Sequence, residues 1–169
     1  MIFSISKIHL LKVSLCFFFV LVIVCSNPLA HAQDNIVSKM KQLTVELEKD
    51  PNNARAAFDR GKIFLQIGEP RLAIADFTTS IIHRPEVGVT YAWRGEAKLI
   101  LGDASYLKDF NKAVEISSKD PECYIFRAKA FLKVNNIQGA IKDLRLARQL
   151  SSKKEAEIIS RMLQTLDGQ

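Results

Sequence analysis

Between residues 54 and 152 the hydrophobic and small positions follow one pattern written three times. The first copy reads Ala57, Arg60, Gly61, Phe64, Gly68, Ala73, Phe77, Pro85. The second reads Tyr91, Arg94, Gly95, Lys98, Gly102, Tyr106, Phe110, Ser118, and the third Tyr124, Arg127, Ala128, Phe131, Asn135, Ala140, Leu144, Ser152. Arg60-Gly61 returns 34 residues later as Arg94-Gly95, and Arg127-Ala128 follows after a further 33. The strings AIADF (73–77), YLKDF (106–110) and AIKDL (140–144) align in the same frame. Each copy holds two apolar stripes at helical spacing with a turn residue between them, so each predicts a pair of helices. A fixed period with two helices per copy marks a stacked-repeat architecture, and no stretch predicts a strand.

Local signals refine the boundaries. Ile36, Met40, Leu43 and Leu47 form one stripe and predict a helix over 35–49, stopped by Asp50-Pro51-Asn52-Asn53. Gly68 and Pro70 end one helix and open the next in copy one. Asp120-Pro121-Glu122 supplies a cap, a first-turn proline and an acid at the start of copy three. Asn135-Asn136 replaces the glycine turn there, because asparagine tolerates the left-handed region. Copy two departs from its neighbours. Gly102 to Phe110 is one residue shorter than Gly68 to Phe77, Tyr106 replaces a small residue, and Lys98 stands where Phe64 and Phe131 do. Its turn is expected to be tighter, its second helix to be capped by Asp103 and its packing to be distorted. Ser152-Lys153-Lys154-Glu155 reads as a capping box opening a last helix, with Ala156, Ile159, Met162, Leu163 and Leu166 on one face.

Residues 1–32 read differently. Lys7, His9 and Lys12 precede the uncharged run Val13–Cys25, and Ala30-His31-Ala32 supplies a small-x-small exit. That order predicts a secretory signal peptide, with the mature chain starting at Gln33 in a periplasm or a secretory route. Two alternatives stay open. Residues 10–25 could remain as a membrane anchor, although the run is short for a crossing. Cys25 could carry a lipid, although Val24 occupies the site where a small residue is usual.

The repeated unit resembles the tetratricopeptide repeat, whose signature is W-x2-L-G-x2-Y, A-x3-F, P. Copy one carries it at Gly61, Phe64, Ala73, Phe77 and Pro85, with Ala57 and Arg60 as departures, and the resemblance extends over 54–152. It implies an all-α fold, an α-solenoid of three helix-turn-helix repeats at about 54–86, 87–118 and 121–151. An N-terminal capping helix within 33–53 and a C-terminal capping helix within 153–169 would flank it. It also implies a non-catalytic scaffold that binds a protein or peptide in a groove lined by the first helix of each repeat. The alternative is a structural or self-associating subunit without a peptide groove. By matching spacing the groove would hold Arg55, Phe58, Lys62, Leu65 and Gln66, then Val89, Ala92, Glu96, Leu99 and Ile100, then Glu122, Ile125, Lys129, Leu132 and Lys133. One subgroup of the family grips a chaperone's C-terminal carboxylate with lysine and asparagine. Its places fall here on Phe58, Lys62, Trp93, Glu122 and Phe126, of which only Lys62 is basic. Trp93 is expected to pack in the core, with a groove role behind that.

Composition narrows the chemistry. The chain carries a formal +6, and Lys7 and Lys12 are the only Lys, Arg, Asp or Glu in residues 1–32, so the rest carries +4. Acidic residues are interspersed throughout, which is no nucleic-acid footprint. Of three cysteines only Cys123 lies beyond residue 32, so no internal disulfide is expected after cleavage. Cys123 reads as a buried thiol, the alternative being an exposed one in an intermolecular disulfide, and His83 as a helix-end cation. Neither has partners for nucleophilic or metal chemistry, so no enzyme, cofactor or metal site is expected. Asp76, Asp109 and Asp143 recur in register and read as helix-surface acids, since an active site needs one unique place.

Overall fold

A computed structural model describes residues 28–167, and the expectations for residues 1–27 lie outside it. The chain divides into two compact units, residues 1–41 and 42–169. Among the described residues there are eight helices and no strand. They are α1 (Pro28–Lys49), α2 (Ala54–Gln66), α3 (Pro70–His83), α4 (Gly88–Leu101), α5 (Tyr106–Ile116), α6 (Pro121–Lys133), α7 (Ile137–Leu150) and α8 (Lys153–Asp167). Helix α1 starts at Pro28, where 35 was expected, and it runs through the predicted junction at Gln33. Proline is well placed at a first helical position because its missing N–H would have no partner there anyway.

In the second unit α2 packs on α3, α4 on α5 and α6 on α7, each pair then meeting the next. The turn inside each pair contains one left-handed residue: Gly68 (φ 81°), Gly102 (φ 73°) and Asn135 (φ 57°). Asn53, Asp120 and Asn136 cap α2, α6 and α7 by accepting from the amides of Ala56, Glu122 and Gly139. At α8 the Glu155 carboxylate accepts from both the amide and the hydroxyl of Ser152. The serine therefore donates to the glutamate, where the expected box would have its oxygen accept from the third helical amide.

The core between paired helices is a small residue facing a large one. A Cβ on Gly61 would lie 2.8 Å from the Phe77 ring, and one on Gly95 would lie 2.8 Å from the Phe110 ring. The third pair puts the buried Ala128 in the same cluster as Leu144. Leu43 and Leu47 pack with Ala56 and Ala57 at one end, and Ile159 and Leu163 of α8 complete the cluster at the other.

Two expectations need correction. Asp76, Asp109 and Asp143 are buried, not surface acids. Each accepts two hydrogen bonds from the arginine of its own copy, at 2.7–2.9 Å: Arg60 to Asp76, Arg94 to Asp109 and Arg127 to Asp143. A buried carboxylate needs such a fork to compensate for lost hydration. Asp103 does not cap α5 directly. Its carboxylate accepts the Ser105 amide at 2.8 Å, and the helix begins only at Tyr106. The missing residue of copy two is therefore lost from the helix and not from the turn, which is not tighter than in copy one: residues 102–105 separate α4 from α5, where residues 67–69 separate α2 from α3. Helix α5 keeps 11 residues where α3 and α7 have 14.

Candidate functional site

The first helices of the pairs, α2, α4 and α6, adjoin one another, so their side chains share a face. Its centre is built on Trp93. The Trp93 and Phe126 rings meet edge to face with centroids 5.0 Å apart, and Phe126 stacks on Phe110 at 6.2 Å. Two lysines cover these rings. Lys62 Nζ lies 4.8 Å from the Trp93 centroid and 5.6 Å from that of Phe58, and Lys129 Nζ lies 5.0 Å from that of Phe126. A cation over an aromatic face is held by the ring quadrupole and still keeps its charge available. Lys129 also reaches Glu96 Oε1 at 3.8 Å. Trp93 Nε1 and Glu96 Oε2 are buried and make no hydrogen bond. Both are polar atoms with unused capacity at the middle of the face.

The expected groove residues divide accordingly. Lys62, Glu96, Glu122 and Lys129 surround the Trp93–Phe126 pair, the last two contributed by α6. Arg55, Phe58 and Val89 line a small hollow of about 90 Å³ at the α2–α4 end, where Arg55 pairs with Asp59 at 2.9 Å. Phe58 and Leu65 are half-buried against the core around Phe77, and Leu132 against that around Leu144. Gln66 and Ile100 are exposed. Lys133 donates to the Leu99 carbonyl at 3.3 Å, at the C-terminal end of α4. Ala92 and Leu99 are corrections. Both are buried in the α4–α5–α6 core and offer little or no surface to a ligand. Ile125 and Glu122 open onto a larger cleft of about 510 Å³ shared with Ile158 and Met162 of α8. The repeat resemblance implies only a capping role for α8, and Ile158 lies off its apolar stripe.

No family model matches this sequence, and no curated protein matches it either. Its backbone, in contrast, is similar to many solved structures. A crystal structure of MamA superposes with a TM-score of 0.62 at 16% identity, over 72% of this chain and 71% of that one. The TPR2B domain of yeast Sti1, solved as a pHsp70 complex, gives 0.60 at 25% identity, over 67% and 91%. The first repeat domain of Spaghetti (RPAP3), solved with the HSP90 peptide SRMEEVD, gives 0.61 at 20% identity, over 68% and 93%. This chain has the tetratricopeptide-repeat fold.

On that tetratricopeptide scaffold the ionisable groups follow their surroundings. Burial raises the Glu122 carboxyl above its ordinary range, and the nearby Asp120 charge adds to this. Lys62, the indole of Trp93 and Lys129 act in the opposite direction. The Cys123 thiol is pushed up to about 12, first by burial and then by Asp120 and Glu122. It is a packed side chain and no nucleophile at neutral pH. His83 is exposed at the C-terminal end of α3. Among the described residues no three His, Cys, Asp or Glu side chains cluster to hold a metal ion, and no helix is long and apolar enough to cross a membrane.

Proposed function

We propose that this chain is a non-catalytic scaffold that captures a peptide or helical segment of a partner protein on the face formed by α2, α4 and α6. The observation that carries this reading is the array of Lys62, Trp93, Phe126, Lys129 and Glu96. It combines a half-buried indole, packed against the buried Phe126, with charges of both signs that fix register and orientation. The repeat-specific Arg–Asp pairs are consumed in holding the hairpins together, whereas this array occurs once. The Sti1 and RPAP3 domains, solved with chaperone-derived ligands, are consistent with such a use of the fold. The place of action in this proposal is an exported, envelope or secretory assembly. Its support is the basic start, apolar run and Ala30-His31-Ala32 exit read in the sequence.

The test is crosslinking of the tagged chain in its own cell, run beside Lys62→Glu combined with Lys129→Glu. Both lysines are exposed, so the helical circular dichroism should not change. The expected result is loss of the partners that the unaltered chain retains. Equal capture by the double variant would remove this face from the interaction.

A further inference from the structure

Beyond the central array lies the cleft of about 510 Å³ between α6 and α8. Its floor is aliphatic. Ile125 and Met162 are half-buried there, and Ile158 is 55% exposed, with no packing duty that the fold requires. Its rim is acidic, with Asp120, Glu122 and Glu155, and none of its lining residues is basic. The Asp120 and Glu155 carboxylates accept local backbone amides, which fixes their positions and leaves their charge in place. The charged form of Glu122 is disfavoured by burial and by Asp120, with Lys62 and Lys129 offsetting part of that. The Ser151 hydroxyl at the edge is buried without a hydrogen-bond partner.

We propose that this cleft docks a partner's peptide segment in which a large aliphatic side chain stands beside a lysine or arginine. The aliphatic group would cover Ile158 and Met162, and the cation would face the acidic rim of Asp120, Glu122 and Glu155. Charge complementarity selects this occupant: an acidic segment would add a fourth negative charge at a site that already disfavours the ionised Glu122. The inference rests on reading the chain as a peptide-binding scaffold, and it supplies the ligand's chemistry and a contact helix, α8, that the repeats alone do not predict.

The experiment titrates the full chain into labelled short peptides and follows fluorescence anisotropy. The probes are a peptide alternating leucine with lysine, one alternating leucine with glutamate, and one alternating serine with lysine. The leucine–lysine probe should bind at least about tenfold more tightly than either companion, the scale expected for one well-covered aliphatic anchor. Ile158→Lys should weaken it by about tenfold or more, and the milder Ile158→Ser by less. Since Ile158 is exposed, both variants should keep the helical signal. Binding of the leucine–glutamate probe at equal strength, or indifference to both Ile158 substitutions, would overturn the proposal. A concentration-dependent rise in mass that Ile158→Lys abolishes would put a second copy in the cleft and also overturn it. If Lys62→Glu with Lys129→Glu loses cellular partners while the Ile158 variants leave the probe's affinity unchanged, the scaffold reading stands and the cleft assignment alone falls.

Discussion

Asp143 is almost wholly removed from water, and its two oxygens take the Nε and Nη2 hydrogens of Arg127 at 2.7 and 2.9 Å. The same fork recurs at separations of 16, 15 and 16 residues, across each helix pair in turn. Both series were visible in the sequence, arginine at 60, 94, 127 and aspartate at 76, 109, 143. Their pairing is not legible there, because a helical period assigns a charge to the wet side by default. Only the fold brings α2 against α3 closely enough to bury one. The correct part of that reading was that three matched acids must serve the repeat and not a unique site. Asp109 differs from the other two, for Lys98 Nζ joins Arg94 on it at 2.9 Å. This answers what a lysine does where Phe64 and Phe131 stand in the flanking copies: it is a second cation on the buried acid. Replacing Asp76 with alanine should cost about 2–3 kcal/mol, the lower end for stranding one partner of a buried pair because Arg60 keeps some solvent contact. Asp109→Ala strands two cations facing each other and should cost more. Adding Lys98→Met should recover part of that loss. Urea denaturation of the four chains measures this, and an Asp109→Ala no worse than Asp76→Ala would show that Lys98 contributes nothing.

At the scale of the helix pair, size complementarity sets how closely two helices approach. Gly61 faces Phe77 and Gly95 faces Phe110, each at a distance where a methyl group would collide with the ring. The third pair pairs Ala128 with a shorter, branched Leu144 in one cluster. The chain thus contains its own compensated substitution. Gly61→Ala should destabilise, because overpacking at about 1–3 kcal/mol outweighs a helix-propensity gain of about 1 kcal/mol. Phe77→Leu alone should also destabilise, through a cavity beside Phe58. Together they should cost less than their sum by about 1 kcal/mol or more, since neighbours sharing one space couple. Additive losses would mean the backbone moves to accept the methyl group and the small-to-large rule is not what sets this spacing. The glycine and asparagine turns were legible here because a left-handed residue leaves few choices. The late start of α5 was not. A one-residue deletion signals that a turn must change but leaves open whether the loop tightens or the helix shortens. In the structure the helix shortens, and Phe110 still meets Gly95 while Asp109 still meets Arg94. The middle pair therefore keeps its core register in spite of its irregular sequence.

Across the second unit each hairpin touches only its neighbours, so the terminal helix carries weight out of proportion to its length. The apolar stripe of α8 was readable from periodicity, and it buries Ile159 and Leu163 among Tyr124, Ala140, Ile141, Leu144 and Ala147. Its second side was not readable. A cleft needs two helices at a set separation, and no single-helix pattern encodes that Ile158 and Met162 will stand opposite Ile125. The same reasoning explains why Ala92 and Leu99 were expected in the groove. Spacing along α4 gave a face, but the depth at which α5 and α6 close over that face depends on their packing. Ending the chain after Ser152 should remove the burial of two large aliphatic side chains, about 3–6 kcal/mol at ordinary transfer values. That is comparable with the whole stability of many small domains. In a nearest-neighbour stack the loss stays local: α6 and α7 should open first, while the α2–α3 hairpin, two interfaces away, stays protected. Hydrogen exchange should then show faster amides at Tyr124 and Leu144 and unchanged ones at Phe77, with a broadened, lower melting transition. Uniform acceleration along the chain would instead make the hairpins one cooperative block, and α8 would be a cap for all of them at once.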